Sequence, residues 1–244
     1  MIDVLNLRKI KSFAIDLDWH KAFGGKSRGN RHLFRVAKIA CFLAKKERAN
    51  LNICLAGAWL HDVGLIKGNE NHPTNGAKIA DEFLESLRLT KRERKAITHC
   101  VKAHEGTIRT STKEAKIVHD ADVLDKSGLM GLIRHVWKLV NTNKKPLSGD
   151  EISQEVKRHI FWRQKQLQTN SAKKISKIIN KKANKCFKSN IDSKKFVRTI
   201  IPLAKKGLIS DIIAQFLINR GRHKGIREIL NWQLKCQFLE EANL

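Results

Sequence analysis

The stretch that most constrains this chain is Ala56-Gly57-Ala58-Trp59-Leu60-His61-Asp62-Val63-Gly64, an apolar run ending in an adjacent histidine and aspartate. Such a run belongs in a protein interior. A buried ionisable group there is costly unless something compensates its charge. Leu51, Leu55, Ala58 and Asp62 recur at i, i+4, i+7 and i+11, so Asp62 is in phase with an apolar helix over residues 51–62. Gly64 is a plausible stop for it. A carboxylate at the C-terminal end of a helix also opposes the helix dipole. The position is unfavourable twice over, and a bound cation removes both penalties.

Two other segments supply matching side chains. Residues 31–46 read as a helix with His32 on the same face as Val36, Ile39, Ala40 and Leu43. Residues 113–125 place Ala115, Val118, Asp122 and Asp125 on one stripe. A single histidine in phase with a core stripe is more often a satisfied core residue than a ligand. Together, however, His32, His61, Asp62 and Asp122 are two imidazoles and two carboxylates that one divalent cation explains. The mixed nitrogen and oxygen donors suit manganese, iron, cobalt, nickel or zinc better than calcium, with magnesium a further candidate. Four protein ligands on a six-coordinate ion leave two positions for water and a substrate oxygen, which is what metal-assisted hydrolysis requires.

The remaining pattern is helical as well, so the expected fold class is all-α. Pro73 opens a helix running to about residue 89, with His72 at its entrance. Thr90 and Glu93 have the spacing of a capping box at the start of a helix over about 91–105. Ile97, Cys100, Val101 and His104 share its apolar face, whereas His99 faces elsewhere. Gly128 to Val140 reads as a further apolar helix, with His135 an ordinary member, and Thr142–Pro146 as a break. Residues 150–188 read as two helices broken near Thr169-Asn170-Ser171, and residues 194–244 as two or three short ones. Ala22–Asn30 holds three glycines and reads as a connector, since it lacks the spacing of the known phosphate-binding loops.

Composition narrows the class. No window of 18 residues is continuously apolar, so no transmembrane helix is expected, and the first residues lack a secretory pattern. The five cysteines are scattered and form no CxxC pair, as expected of small core residues in a reducing cytoplasm. The net charge is +26. Residues 1–146 hold 28 Lys and Arg against 15 Asp and Glu, and residues 147–244 hold 21 against 8, so the shorter part is the more densely basic. Such a balance attracts polyanions: nucleotides, nucleic acid or an acidic membrane surface. The competing reading of Lys173-Lys174 and Lys181-Lys182 is a solvated helix face.

The ordered pattern His32 … His61-Asp62 … Asp122 resembles the HD-domain superfamily of metal-dependent phosphohydrolases. The resemblance extends to the flanks Arg31-His32-Leu33-Phe34-Arg35, Trp59-Leu60-His61-Asp62-Val63-Gly64 and His119-Asp120-Ala121-Asp122-Val123-Leu124-Asp125. It implies an all-helical bundle with the metal at its centre, held by His32, His61, Asp62 and Asp122, with Asp62 central to catalysis. His72 and His104 resemble family positions that bind a second metal or a substrate phosphate. Arg35, Lys126 and Arg28 are candidate phosphate contacts, and Asp125 a candidate acceptor that orients a ligand. The expected organisation is an HD phosphohydrolase-like domain over residues 1–188 and a basic helical extension over 189–244. The expected activity is hydrolysis of a phosphoester or phosphoanhydride, most simply of a nucleotide. The alternative is a basic nucleic-acid-binding protein in which the metal site is structural or vestigial. The cyclic-dinucleotide branch of the family carries a GYP motif, which this chain lacks.

Overall fold

The computed structural model describes residues 2–143, 145–186 and 190–242. Among these the chain is all-α, with no strand. Its helices are α1 (Val4–His20), α2 (His32–Lys46), α3 (Leu51–Leu60), α4 (His72–Ser86), α5 (Lys91–Ala103), α6 (Lys113–Asp125), α7 (Gly128–Thr142), α8 (Gly149–Gln164), α9 (Asn170–Asn184), α10 (Asn190–Lys205), α11 (Ser210–Arg220), α12 (Lys224–Leu234) and α13 (Phe238–Glu241). No helix among the described residues is long and apolar enough to cross a membrane.

The backbone forms two compact units. The first comprises residues 2–122 and 167–172; the second comprises 123–166 and the described residues from 173 onward. The predicted boundary between residues 188 and 189 lies outside the described residues, as does Lys144 of the predicted break.

In the first unit α3 is the central element, packed on α1, α2 and α5. It is apolar on nearly every side, as the sequence requires of a helix with neighbours all round. Gly57 makes this possible. A Cβ there would lie 2.7 Å from Cys100 Cβ in α5 and 3.1 Å from Val118 Cγ2 in α6, so only a glycine lets the three helices approach this closely. The N-terminal helix α1 buries Ile10, Ala14 and Leu17. Asp3 caps it by accepting from the Asn6 N–H at 2.7 Å. The capping box of α5 is formed as expected: Thr90 Oγ1 accepts from Glu93 N, and Glu93 Oε2 accepts from Thr90 N. Glu93 also accepts from Ile2 N at 2.9 Å, which ties the first described residue to α5.

In the second unit α7 is the hub, contacting α8, α10, α11 and α12. Leu129, Met130, Ile133 and Val136 are its buried face. The start of α7 has no side-chain cap from Ser127. Gln233 of α12 does that work instead. Its Oε1 accepts from Leu129 N (2.9 Å) and Met130 N (3.1 Å), and its Nε2 donates to Ser127 O (3.0 Å). Gln233 is 3 % exposed, so water cannot replace these bonds. Gln233→Ala is expected to destabilise the protein by about 2–4 kcal/mol, read as a lowered midpoint in urea with an unchanged slope.

Candidate metal centre

The site grows out of the Gly57 contact. Gly57, Cys100 and Val118 each stand one helical turn before a functional residue: His61, His104 and Asp122. The close approach of α3, α5 and α6 therefore delivers three ligand-type side chains to one place. Both α3 and α5 stop there, with His61 and His104 as their C-terminal caps. Two helix C-termini, each carrying partial negative charge, favour a cation between them. After His61 the backbone enters a 3-10 turn over Val63–Lys67, for which Asp62 is the capping residue. The sequence placed Asp62 inside the helix; it lies just beyond, because α3 ends at Leu60.

Six side chains gather in two groups. His32, His61 and Asp122 form one; Asp62, His72 and His104 form the other, with the ligand atoms of each group within 4.8 Å of one another. All six are at least nine-tenths buried. Asp62 faces both groups. Its Oδ2 lies 3.3 Å from His61 Nε2 and 3.5 Å from His32 Nε2, while its Oδ1 lies 3.5 Å from both His72 Nε2 and His104 Nε2. Asp122 Oδ1 is 3.2 Å from His32 Nε2 and 3.5 Å from His61 Nε2.

The histidine tautomers follow from their other nitrogen. Nδ1 of His61 donates to Ala58 O (2.8 Å), that of His72 to Asn69 O (2.9 Å), and that of His104 to Val101 O (2.7 Å). A carbonyl can only accept, so each neutral ring turns a bare Nε2 lone pair inward. Within each group two Nε2 atoms face each other at 3.2 Å, His32 with His61 and His72 with His104, and in the second pair both carry a lone pair. Two lone pairs at that distance repel unless a proton or a metal ion sits between them. The field favours positive charge. Burial lowers the basicity of His61, but the charge of Asp62 and hydrogen bonding to Asp122 and Asp62 outweigh it and raise its pKa to about 10. Burial works against the charged form of Asp62, yet His61, His104 and His32 hold its carboxyl well below the usual carboxylate range. His104 is lowered, chiefly by burial. Nitrogen and oxygen donors, fixed tautomers and a field that attracts cations fit a divalent metal ion.

The supporting residues were less visible in the sequence. His119 donates from Nδ1 to His104 O at 2.7 Å, joining α6 to the end of α5. Asp120 accepts from Gln168 N (2.9 Å), Thr169 N (2.7 Å) and Thr169 Oγ1 (2.7 Å), fastening residues 167–172 to α6. Burial raises the Asp120 pKa, and these bonds oppose the rise. Glu105, adjacent to His104, brings Oε1 to 3.7 Å from His72 Nε2 and is the most exposed acid of the group. Of the predicted phosphate contacts, Arg35 is 5 % exposed, on α2 one turn after His32, and Arg28 is exposed in the connector before α2. Lys126 is half-buried in the second unit, where Arg134 Nε lies 3.7 Å from Asp125 Oδ2. His99 faces away, as its phase implied, with Nε2 bonded to the Ser111 N–H at 3.1 Å.

Known proteins bear on this geometry. Residues 30–127 match the HD domain family. Ribonuclease Y of Fusobacterium nucleatum is 32% identical over 96 residues, a match that covers 39% of this chain and 18% of that protein. The chain thus spans about a fifth of the length of that curated relative. Among solved structures, YpgQ of Bacillus subtilis superposes with a TM-score of 0.56 at 20% identity, covering 85% of this chain and 98% of YpgQ. YpgQ in complex with ADP gives 0.54 at 18% identity, covering 83% of this chain and 97% of that one. A predicted HD superfamily hydrolase from an uncultured Thermotogales bacterium gives 0.51 at 19% identity, covering 72% and 85%. At these identities the structural likeness speaks for the fold. The HD domain match thus spans residues 30–127, the stretch that holds all six clustered side chains, and beyond it the likeness to solved structures is one of fold.

Proposed function

We propose that this protein is a metal-dependent phosphohydrolase that cleaves a phosphoester or phosphoanhydride bond of a nucleotide. The observation that carries the reading is the Asp62 carboxylate, which offers one oxygen to the group of His32, His61 and Asp122 and the other to His72 and His104. In this reading His32, His61 and Asp122 would hold one divalent ion and His72 and His104 a second, with Asp62 available to both groups. A divalent ion so held supplies a bound water of lowered pKa and polarises a phosphoryl oxygen. The donor set suits manganese, iron, cobalt, nickel or zinc, with magnesium a weaker match for so many imidazoles.

The chain's own groups do the rest. The carbonyls of Ala58, Asn69 and Val101 keep the three Nε2 lone pairs aimed inward. Glu105, beside His72 and partly open to solvent, can accept a hydrogen bond from a water or leaving group at the rim. Arg28 and Arg35 provide positive charge for phosphate oxygens. A nucleotide as substrate is supported by the ADP bound to the similarly folded YpgQ, and the likeness to ribonuclease Y extends the candidates to RNA phosphodiesters. A vestigial site is disfavoured because all six side chains are present, buried and convergent.

The test is to measure metal content and then phosphate and pyrophosphate release from a nucleotide panel, with short RNA included. Chelation is expected to abolish turnover and to lower the melting temperature by roughly 5–10 °C, since an ion that binds only the folded state stabilises it. Manganese should restore both. A protein that melts identically with and without chelator, and turns over no phosphorylated compound with any of these metals, would sink the reading.

A further inference from the structure

The outer face of α8 carries a feature that the hydrolytic reading does not use. Gln154, Lys157, Arg158, Phe161, Trp162 and Lys165 are all exposed and recur at i, i+3, i+4, i+7, i+8 and i+11, a single stripe along the helix and just past its end. The opposite face buries Ile152, Val156 and Arg163. Phe161 is 60% exposed and Trp162 48%, among the few large apolar side chains in the protein left so open. They are adjacent, and the exposed Lys165 brings Nζ to 4.3 Å from the Phe161 ring centre. Gln164 Nε2 donates to Asn180 Oδ1 at 2.9 Å, which sets the end of α8 against α9. The exposed side of α9 carries Lys173, Lys174, Lys177 and Lys181. From residue 156 to residue 191 the sequence holds 11 Lys and Arg and no Asp or Glu. The nearest acid, Glu155, pairs with Arg158 at the surface, where such pairs are weak. The second unit as a whole has 26 Lys and Arg against 9 Asp and Glu.

We propose that this face binds single-stranded nucleic acid, with Phe161 and Trp162 stacking on successive bases and Lys157, Lys165 and the lysines of α9 following the phosphates. Exposed aromatic rings among cations are the arrangement that single strands use, since unpaired bases offer a free face for stacking. A duplex keeps its bases stacked inside and leaves no such face. An acidic membrane is the weaker fit, because the stripe holds only two apolar side chains and so little area to insert. The proposal does not depend on the hydrolytic activity.

The experiment uses the full chain, a fluorescein-labelled oligouridylate of about 12 nucleotides, its duplex with oligoadenylate, and vesicles containing phosphatidylserine. Anisotropy is expected to show binding to the single strand that weakens steeply with salt, and at least tenfold weaker binding to the duplex. Phe161→Ala with Trp162→Ala is expected to weaken single-strand binding at least tenfold while circular dichroism and melting stay unchanged, as both rings are exposed. Lys165→Ala should lower the salt slope by about 0.7. If the double aromatic variant binds the oligonucleotide as well as the parent, the platform is wrong. It is equally wrong if the parent prefers vesicles or duplex, or if the only change in the variant is in its oligomeric state by sedimentation.

Discussion

Asp62→Ala is expected to strip metal from both groups at once and to reduce phosphohydrolase activity at least about a thousandfold. The other ligands should behave differently. Asp122→Ala removes an oxygen only from the group of His32 and His61, and His104→Ala removes a nitrogen only from the group of His72. In metal analysis of the purified variants, Asp122→Ala and His104→Ala should each retain close to half the parent content, and Asp62→Ala almost none. The asymmetry follows from the carboxylate's two oxygens facing opposite ways. Folding is a separate matter and is read by melting in chelator, where all variants lack metal. There, loss of a carboxylate relieves buried negative charge but leaves His61 without its strongest counter-charge. A variant that keeps full metal content and full turnover without Asp62 would overturn the assignment of the centre.

Gly64→Ala is expected to be the most damaging small substitution in the first unit. A Cβ on Gly64 would collide with the carbonyl oxygen of His72, lie 2.6 Å from Gly76 N and stand 2.9 Å from His72 C. All three are backbone atoms, so no rotamer change relieves the contact. Either the 3-10 turn that Asp62 caps or the start of α4 at His72 must move, and both adjoin the cluster. A cost of about 3 kcal/mol or more is expected, corresponding to a fall in melting temperature of roughly 6–12 °C. Metal affinity should fall more at the group containing His72 than at the group containing His32. Gly68→Ala is the control: its φ of 98° makes an alanine strained, but no atom lies within 4 Å of the added carbon. Its expected cost is confined to backbone strain, about 1–2 kcal/mol, with the metal content intact.

The sequence made the cluster legible because its members break a rule that can be read locally. His32, Asp62 and Asp122 each interrupt an apolar stripe of helical period, and His104 does so more quietly. The capping box of α5 was legible for the same reason, since Thr90 and Glu93 carry their own geometry. What could not be read was everything set by contact over distance. Nothing near Asp120 in sequence points to Thr169, 49 residues away, as its hydrogen-bond partner. Gln233 looks like any polar residue of a surface helix until the start of α7 is seen to lack another cap. The helix α1 was obscured because charged residues interrupt its buried positions, and its stability comes from packing on α3 more than from its own pattern. Arg35 is a candidate phosphate contact from its place one turn after His32, and its burial shows only in three dimensions. That Asp62 divides its two oxygens between two groups is a matter of side-chain torsion, below the resolution of any spacing argument.

Three of the four histidines share one device. His61, His72 and His104 each donate from Nδ1 to the carbonyl exactly one tight turn earlier, three residues back in the chain. The aim of each ring is thus fixed by a carbonyl of its own short segment. Ordering a free side chain on binding costs about 0.5–1.5 kcal/mol, and in the folded chain these three rings are already ordered. Gly57 then sets how closely α3 approaches α5 and α6, and with it the spacing of His61, His104 and Asp122. The inward aim of these rings therefore belongs to their own segments, and the close approach of α3, α5 and α6 decides only how far apart the helix ends stand.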